Sequence, residues 1–408
     1  MKADFRVRFF YALRKTFEEA ETHCYALLMK ITKLDLINWR NFKKATIEFS
    51  DRSFIVGPNA SGKSNLLDVF RFFRDLAKAG GGLQKAVELR GGLTKIRCLA
   101  GRAKPDVELH VQAQEDDVIW SYEIGIGQEP RGHRQPQLSF ERVRRNNCII
   151  VNRPNEDDDR DPARLTQTFL EQINANKDFR ELQLFFEKTL YLHLVPQLLK
   201  YHSALHMESG VEDPFGVRFL ERVMQTPEKT RRSRLRKIES ALQLAVPELK
   251  ELVDTRDERG VPHLEAVYEH WRPNAGKQRE DQFSDGTLRL IGLLWSLLES
   301  DSLLLLEEPE LSLHSAIVSH LGPLIWRMQR SRKRQVIIST HSADLLRDKG
   351  IRADEVIFLQ PRGKEGTEIA RADSIAEIRD LLVGGLTVAD AVLPRTRPEK
   401  VGQLSLFE

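Results

Sequence analysis

Apolar and polar positions along the chain follow two periods that alternate several times. Residues 34–37 and 45–49 read as short strands around the turn-forming Asn38-Trp39-Arg40-Asn41, and residues 53–56 form a third apolar strand running straight into glycine and proline. Residues 65–77 then carry Leu66, Leu67, Phe70, Phe73 and Leu76 at helical spacing. Gly80-Gly81-Gly82 and Gly91-Gly92 punctuate a loop region, after which residues 107–126 return to strand-like alternation. Polar residues 128–137, with two prolines, read as a turn or loop, and acidic residues 156–161 as an exposed linker. From residue 164 to about 252 the period is helical, with Leu182, Phe185, Phe186 and Leu190 as one stripe. Strand and helix signals alternate again over residues 260–383, and the proline and charge content of residues 394–408 predicts a loose tail.

Chemistry enters at the end of the third strand. Gly57-Pro58-Asn59-Ala60-Ser61-Gly62-Lys63-Ser64 satisfies the phosphate-loop pattern, with a strand before it and an amphipathic helix, beginning at Asn65, after it. Glycines let backbone N–H groups turn inward around phosphate oxygens, and the helix N-terminus favours negative charge. Lys63 is placed for the β and γ phosphates of ATP and the Ser64 hydroxyl for Mg²⁺. A glycine turn with an incidental lysine is the bland alternative.

A second acidic feature lies far downstream. Leu303-Leu304-Leu305-Leu306 reads as a buried strand that ends in Glu307-Glu308-Pro309-Glu310. In a parallel sheet, ligands gather at the carboxyl ends of strands, where a phosphate loop also lies. Glu307 is placed to hold Mg²⁺, and Glu308 to deprotonate an attacking water as general base. Alone, such a run is as readily a solvated loop; the phosphate loop tips the reading.

Together with Ser339-Thr340-His341-Ser342 these segments resemble the ABC-type ATPase heads, in the AAA-family branch of RecF, the chromosome-structure-maintenance (SMC) proteins and the overcoming-lysogenization-defect (OLD) proteins. Leu34 to Phe42 also resembles the first strand and turn of that branch. The resemblance covers residues 29–100 and 260–360 well and the segment between them poorly. It implies an ATP hydrolase in which His341 is a switch histidine contacting the γ-phosphate. It also implies that Phe283-Ser284-Asp285-Gly286-Thr287 is a signature motif, Ser284 and Gly286 meeting the ATP of a second subunit in a homodimer or a multiple of one. A simple helix cap by Ser284 is compatible with that role. The sequence departs from the family at Asp285, where a glycine is usual, and at Glu307, where most heads have aspartate.

The expected fold is therefore an α/β P-loop NTPase, an ABC-like head in two parts (29–127 and 256–393) around a largely helical insertion (128–255), with an N-terminal extension (1–28) and a tail (394–408). The extension has no signal-peptide core, and reads as a peripheral helix or an over-extended start upstream of Met29. Composition agrees: of 408 residues 41% are hydrophobic and 30% charged, with net charge +3. Cys24, Cys98 and Cys148 suggest neither a disulfide framework nor a metal knuckle, so a cytoplasmic location is expected. No stretch approaches the ~20 apolar residues of a membrane span.

An ABC transporter subunit is a rival reading, but the 220 positions from Ser64 to Ser284 are far too many for one. OLD proteins carry a nuclease domain, for which the 67 residues after His341 are too few, so any effector is expected on a separate polypeptide. Basic residues in 231–237 and at Arg327, Arg330, Arg332, Lys333 and Arg334 suit DNA phosphates or a solvated helix face equally. The final Gln403-Leu404-Ser405-Leu406-Phe407-Glu408 resembles the peptide that binds the bacterial sliding clamp, with Gln403, Leu404, Leu406 and Phe407 as contacts; a tail folded back on its own head is the alternative. Two functions follow as expectations: an ATP-gated dimer acting on DNA or a DNA-directed effector in genome maintenance or phage defence, or a binding module whose slow turnover times release of a toxin.

Overall fold

Two strands and a tight turn open the described part of the chain. The computed structural model describes residues 29–101, 106–129, 134–201, 213, 215–270, 276–300 and 302–397. The N-terminal extension and the clamp-like peptide at 403–407 therefore lie outside the described residues.

Strands β1 (Lys30–Trp39) and β2 (Phe42–Glu48) pair antiparallel, and β3 (Arg52–Val56) leads to the phosphate loop and helix α1 (Lys63–Ala77). There follow β4 (Val107–Glu115), β5 (Val118–Gln128), β6 (Pro136–Arg145) and β7 (Cys148–Arg153), then α2 (Arg180–Glu187) and β8 (Leu190–Leu192). Helix α3 (Glu228–Ala245) precedes a small antiparallel sheet of β9 (Leu249–Arg256), β10 (Pro262–Tyr268) and β11 (Lys277–Arg279). The chain ends with α4 (Asp285–Glu299), β12 (Leu304–Glu307), α5 (Ser315–Arg332), β13 (Val336–Ser339), β14 (Val356–Pro361), β15 (Thr367–Arg371) and short helices.

Two larger sheets organise the molecule. The first is antiparallel, in the order β2-β1-β4-β5-β6-β7; the second runs β15-β14-β3-β13-β12-β8, with all strands parallel except β15. The central strands of the second sheet, β3, β12, β13 and β14, are mostly apolar because both faces are covered. On one side Ile55, Leu305, Ile337 and Ile357 join the core shared with the first sheet and α1; on the other Phe54, Leu304, Leu306 and Ile338 pack with α4 and α5.

Helix α1 lies between the two sheets, which is why its apolar positions are so dense. Phe73 stacks on Phe186 of α2 with ring centroids 5.0 Å apart, and Phe72 meets Trp39 edge-on at 5.4 Å. Its two buried carboxylates share one partner: Arg90 reaches Asp68 at 2.9 Å and Asp75 at 3.0 Å.

The segment expected to be a largely helical insertion differs from that expectation. Its first part, β6 and β7, extends the first sheet, and β8 forms the edge of the parallel sheet beside β12, so Leu190 is a strand residue paired with Leu304 rather than part of a helical stripe. Leu182, Phe185 and Phe186 do form a buried helical face. Acidic residues 156–161 are exposed as expected except Asp158, but residues 156–160 form a short helix rather than a linker. Asn155 caps this helix, and Asp158 is buried against Arg153, which also binds Glu141; both pairs are wholly shielded from solvent. A charge run appears solvated in sequence whenever its counter-ion is not adjacent. Among the described residues, no helix is long and apolar enough to cross a membrane.

Candidate active site

The phosphate loop is held by residues that share no motif with it. Asn41, in the β1–β2 turn, donates to the Ser61 carbonyl at 2.7 Å and to Thr367 Oγ1 at 2.6 Å, and accepts from Asn65 Nδ2 at 2.9 Å. Thr367, at the start of β15, also donates to Ser61 O at 2.9 Å. Trp39 Nε1 donates to the Asn65 carbonyl at 2.9 Å. Gly62 sits under this brace with φ +99°, and a Cβ there would lie 2.2 Å from the Asn41 amide, so glycine is required twice over. Ala60 also adopts a left-handed conformation, φ +61°, which curls the loop between Asn59 and Ser61.

The first turn of α1 has no capping side chain and no acidic residue. Leu66 N–H is bonded to Gly62 O at 2.9 Å, which leaves the N–H groups of Lys63, Ser64 and Asn65 as the unsatisfied start of the helix, the arrangement that attracts an anion. Lys63 Nζ donates to the carbonyls of Gly57 and Pro58, each at 3.1 Å. Burial lowers the pKa of this ammonium from the ordinary lysine value, and the charges of Glu308, Glu307 and Glu310 oppose that shift.

Because β13 lies parallel beside β3 and β12 parallel beside β13, their carboxyl ends come to the same side of the sheet as the phosphate loop. The Ser64 hydroxyl donates to one oxygen of Glu307 and the Tyr191 hydroxyl to the other. His193 Nδ1 lies 3.3 Å from the Glu307 carbonyl. Glu308 takes a left-handed backbone conformation, φ +44°, costly for a residue with a side chain, and its N–H is fixed on Ser339 O at 3.0 Å. Its carboxylate stands 3.2 Å from His341 Nε2. That hydrogen bond, with the charges of His341, Lys63 and His193, lowers the Glu308 pKa against the opposing effect of burial. Glu310 is pushed the other way by burial, although it accepts from Thr340 Oγ1 at 2.6 Å and His341 N at 3.1 Å. Glu310 thereby ties the His341 turn to the acidic turn.

The start of α4 stands apart from the loop. Ser284 caps the helix, accepting from Thr287 N at 3.1 Å. Asp285 accepts from Gln197 Nε2 at 2.6 Å and Lys200 Nζ at 2.9 Å, and a Cβ on Gly286 would lie 2.7 Å from the Ser312 carbonyl. Among the described residues, no hydrogen bond or ion pair joins Ser284 or Gly286 to the phosphate loop. Lys63, Ser64, Glu307, Glu308 and His341 do form one contiguous group. Sequence reasoning missed Asn41, Thr367, Tyr191 and His193. Tyr191 and His193 flank Leu192 in alternation at the end of an apolar strand, the one signal that could have found them.

A metal ion fits the donor set. The Ser64 hydroxyl and the Glu307 carboxylate are adjacent hard oxygen ligands, and among the described residues no group of three or more His, Cys, Asp and Glu side chains is placed to hold a metal. One carboxylate and one hydroxyl suit an ion that takes its remaining ligands from phosphates and water, as Mg²⁺ does.

Two family models span the phosphate loop. Residues 52–348 match the family described as "AAA domain, putative AbiEii toxin, Type IV TA system", and residues 31–72 match "P-loop containing region of AAA domain". No curated protein matches the chain. Similar solved structures include an SMC head bound to the C-winged helix domain of ScpA, 17% identical over 83% of this chain and 97% of that one, with TM-score 0.49. The SMC head domain from Thermotoga maritima is 16% identical over 84% and 98%, with TM-score 0.44. An Smc head with an extended coiled coil, bound to the C-terminal domain of ScpA derived from Pyrococcus furiosus, is 14% identical over 87% and 100%, with TM-score 0.49.

Proposed function

Because the chain belongs to the AAA-domain family described as putative AbiEii toxin of type IV toxin–antitoxin systems, and is a P-loop ATPase, we propose that it is an Mg²⁺-dependent switch that closes as a dimer around ATP and acts on DNA or on a DNA-directed effector. The observation that carries this reading is the convergence of three strand ends: Ser64 on Glu307, and Glu308 beside His341.

In this mechanism the N–H groups of residues 57–65 and Lys63 bind the β and γ phosphates. Ser64 and Glu307 would hold Mg²⁺, which would supply charge neutralisation at the phosphate oxygens. Glu308, kept ionised by its contact with His341, takes the proton of the attacking water, and His341 steadies the γ-phosphate. Ser284 and Gly286 of each copy meet the nucleotide held by the other, an arrangement supported by the outward N-terminus of α4.

The tail peptide Gln403, Leu404, Leu406 and Phe407 belongs to this proposal as a sliding-clamp contact, and the cytoplasm as its compartment. A second reading, a module that holds and releases a separate toxin or nuclease subunit through slow turnover, draws support from the family's description.

Complementation tests the two-copy site. Lys63→Ala and Ser284→Arg chains, each inactive alone, regain part of their turnover when mixed, because one of the two composite sites is then intact. Mixtures that stay inactive although the chains pair would refute the trans role of Ser284.

A further inference from the structure

Two basic runs that lie about ninety residues apart in sequence share one surface. Lys237 on α3 and Arg332 and Lys333 at the end of α5 line a cavity of about 600 Å³ that has three cations and no carboxylate. Lys333 also lines an adjoining cavity of about 620 Å³ with Lys30, Arg330, Arg352, Asp51 and Glu355. The two carboxylates there are already engaged: Asp51 lies 2.7 Å from Lys30 Nζ, and Glu355 is 2.9 Å from the buried Arg52 guanidinium. Among the described residues, Lys237, Arg330 and Lys333 have no carboxylate partner.

This surface lies at the far edge of the parallel sheet. Lys333 stands just before β13 and Asp51 just before β3, at the ends opposite Glu307 and the phosphate loop. Strands of four or five residues at ~3.3 Å each separate the two edges by about 15 Å. A ligand bound here does not touch the nucleotide.

Part of the charge has an ordinary explanation, since cations in the last turn of α5 complement the helix dipole. That does not account for Lys237, which comes from a different helix. Nor does it account for Trp326, the one exposed large apolar side chain lining either cavity, 44% exposed with the Arg330 guanidinium 5.4 Å from its ring centroid. The cations sit on long stems from separate segments along an open trough, which suits a repeating anion better than a single phosphate. Leu298 and Met328 also line the first cavity but are buried and half-buried, so the exposed apolar centre that a protein interface would use is limited to the Arg330-covered indole.

We infer that this face binds the phosphate backbone of duplex nucleic acid. The inference rests on the DNA-directed arm of the proposed function and gives that arm a surface separate from the ATP site.

The test is fluorescence anisotropy with a labelled mixed-sequence duplex and the full chain, wild type and Lys237→Glu/Arg330→Glu/Lys333→Glu. ATP hydrolysis without DNA is followed in the same samples, and a Lys237→Gln/Arg330→Gln/Lys333→Gln variant guards against misfolding. The glutamate variant binds the duplex at least tenfold more weakly, and its log–log salt slope is shallower by about 2–3, as loss of three phosphate contacts requires. Its hydrolysis without DNA stays within about twofold of wild type, because none of the three side chains belongs to the site. Equal duplex binding by the variants and the wild type overturns the surface and leaves the ATP switch standing. So does a wild type that pairs with ATP yet ignores the duplex. A wild type that prefers polyglutamate to duplex, and loses it in the variants, assigns the face to an acidic protein and overturns the nucleic-acid reading.

Discussion

Replacing Asn41 with alanine isolates the brace between the first sheet and the phosphate loop. The side chain makes three part-buried hydrogen bonds, to Ser61 O at 2.7 Å, Thr367 Oγ1 at 2.6 Å and Asn65 Nδ2 at 2.9 Å. At a net ~1 kcal/mol each, their loss costs about 3 kcal/mol. The Ser61 carbonyl keeps the Thr367 hydroxyl at 2.9 Å and is not stranded, which reduces the net cost to about 2 kcal/mol. The freed loop must then be ordered when nucleotide binds, so ATP affinity falls by about 10- to 30-fold. Titration with a fluorescent ATP analogue measures this, and thermal melting separates it from global loss of fold. Thr367→Val, which removes one donor and leaves the Asn41–Ser61 bond, falls between alanine and wild type. An Asn41→Ala protein that binds ATP within twofold of wild type would refute the idea that this turn holds the loop.

Three other outcomes are expected. Arg153→Met strands the buried Glu141 and Asp158 carboxylates, which lie 3.0 and 2.9 Å from the guanidinium. It should cost about 3–5 kcal/mol in urea unfolding, and a loss under about 1 kcal/mol would contradict the account of that network. Glu115 has its pKa raised to about 7, first by burial and then by Asp116 and Glu181. The folded state therefore holds this proton more tightly than the unfolded one, and stability present below the unfolded pKa is lost as pH rises through about 7. The group is partly exposed, so screening limits the effect to the order of 1 kcal/mol; Glu115→Gln gains on wild type between pH 5 and pH 8, whereas a constant difference would show the carboxyl is not linked to folding. Tyr191→Phe frees one oxygen of Glu307 and should slow turnover about tenfold and raise the Mg²⁺ requirement, with ATP binding little changed; kinetics at varied Mg²⁺ that match wild type would remove Tyr191 from the site.

What sequence could reveal of the site depended on how far apart the contributing residues lie. The phosphate loop, Glu307, Glu308 and His341 each sit in a short run whose pattern carries its own chemistry, and the parallel order of β3, β13 and β12 brings those runs together. Asn41 and Thr367 are 326 positions apart, and neither is unusual for its turn, so only the fold reveals their shared grip on Ser61. Tyr191 reaches Glu307 across 116 positions from a three-residue strand. That strand was hidden because Leu190 also fits the helical stripe of Leu182, Phe185 and Phe186, and periodicity cannot separate a short buried strand from a helix end. Within the acidic stretch at 156–161 only Asp158 departs from the expected exposure, because its counter-ion, Arg153, belongs to the preceding strand and draws it inward. The two basic runs were visible as charge, but their meeting at Lys333 was not.

The central claim is that Glu308 is the catalytic base of an ATP hydrolase. It is tested most directly by the ATP turnover of wild type and Glu308→Gln, with the oligomeric state followed by light scattering. The account predicts that the variant binds ATP normally, hydrolyses it about 10²- to 10⁴-fold more slowly, and accumulates with ATP as a dimer or a multiple of one. Undiminished hydrolysis by the glutamine variant would contradict it and move the catalytic carboxylate elsewhere.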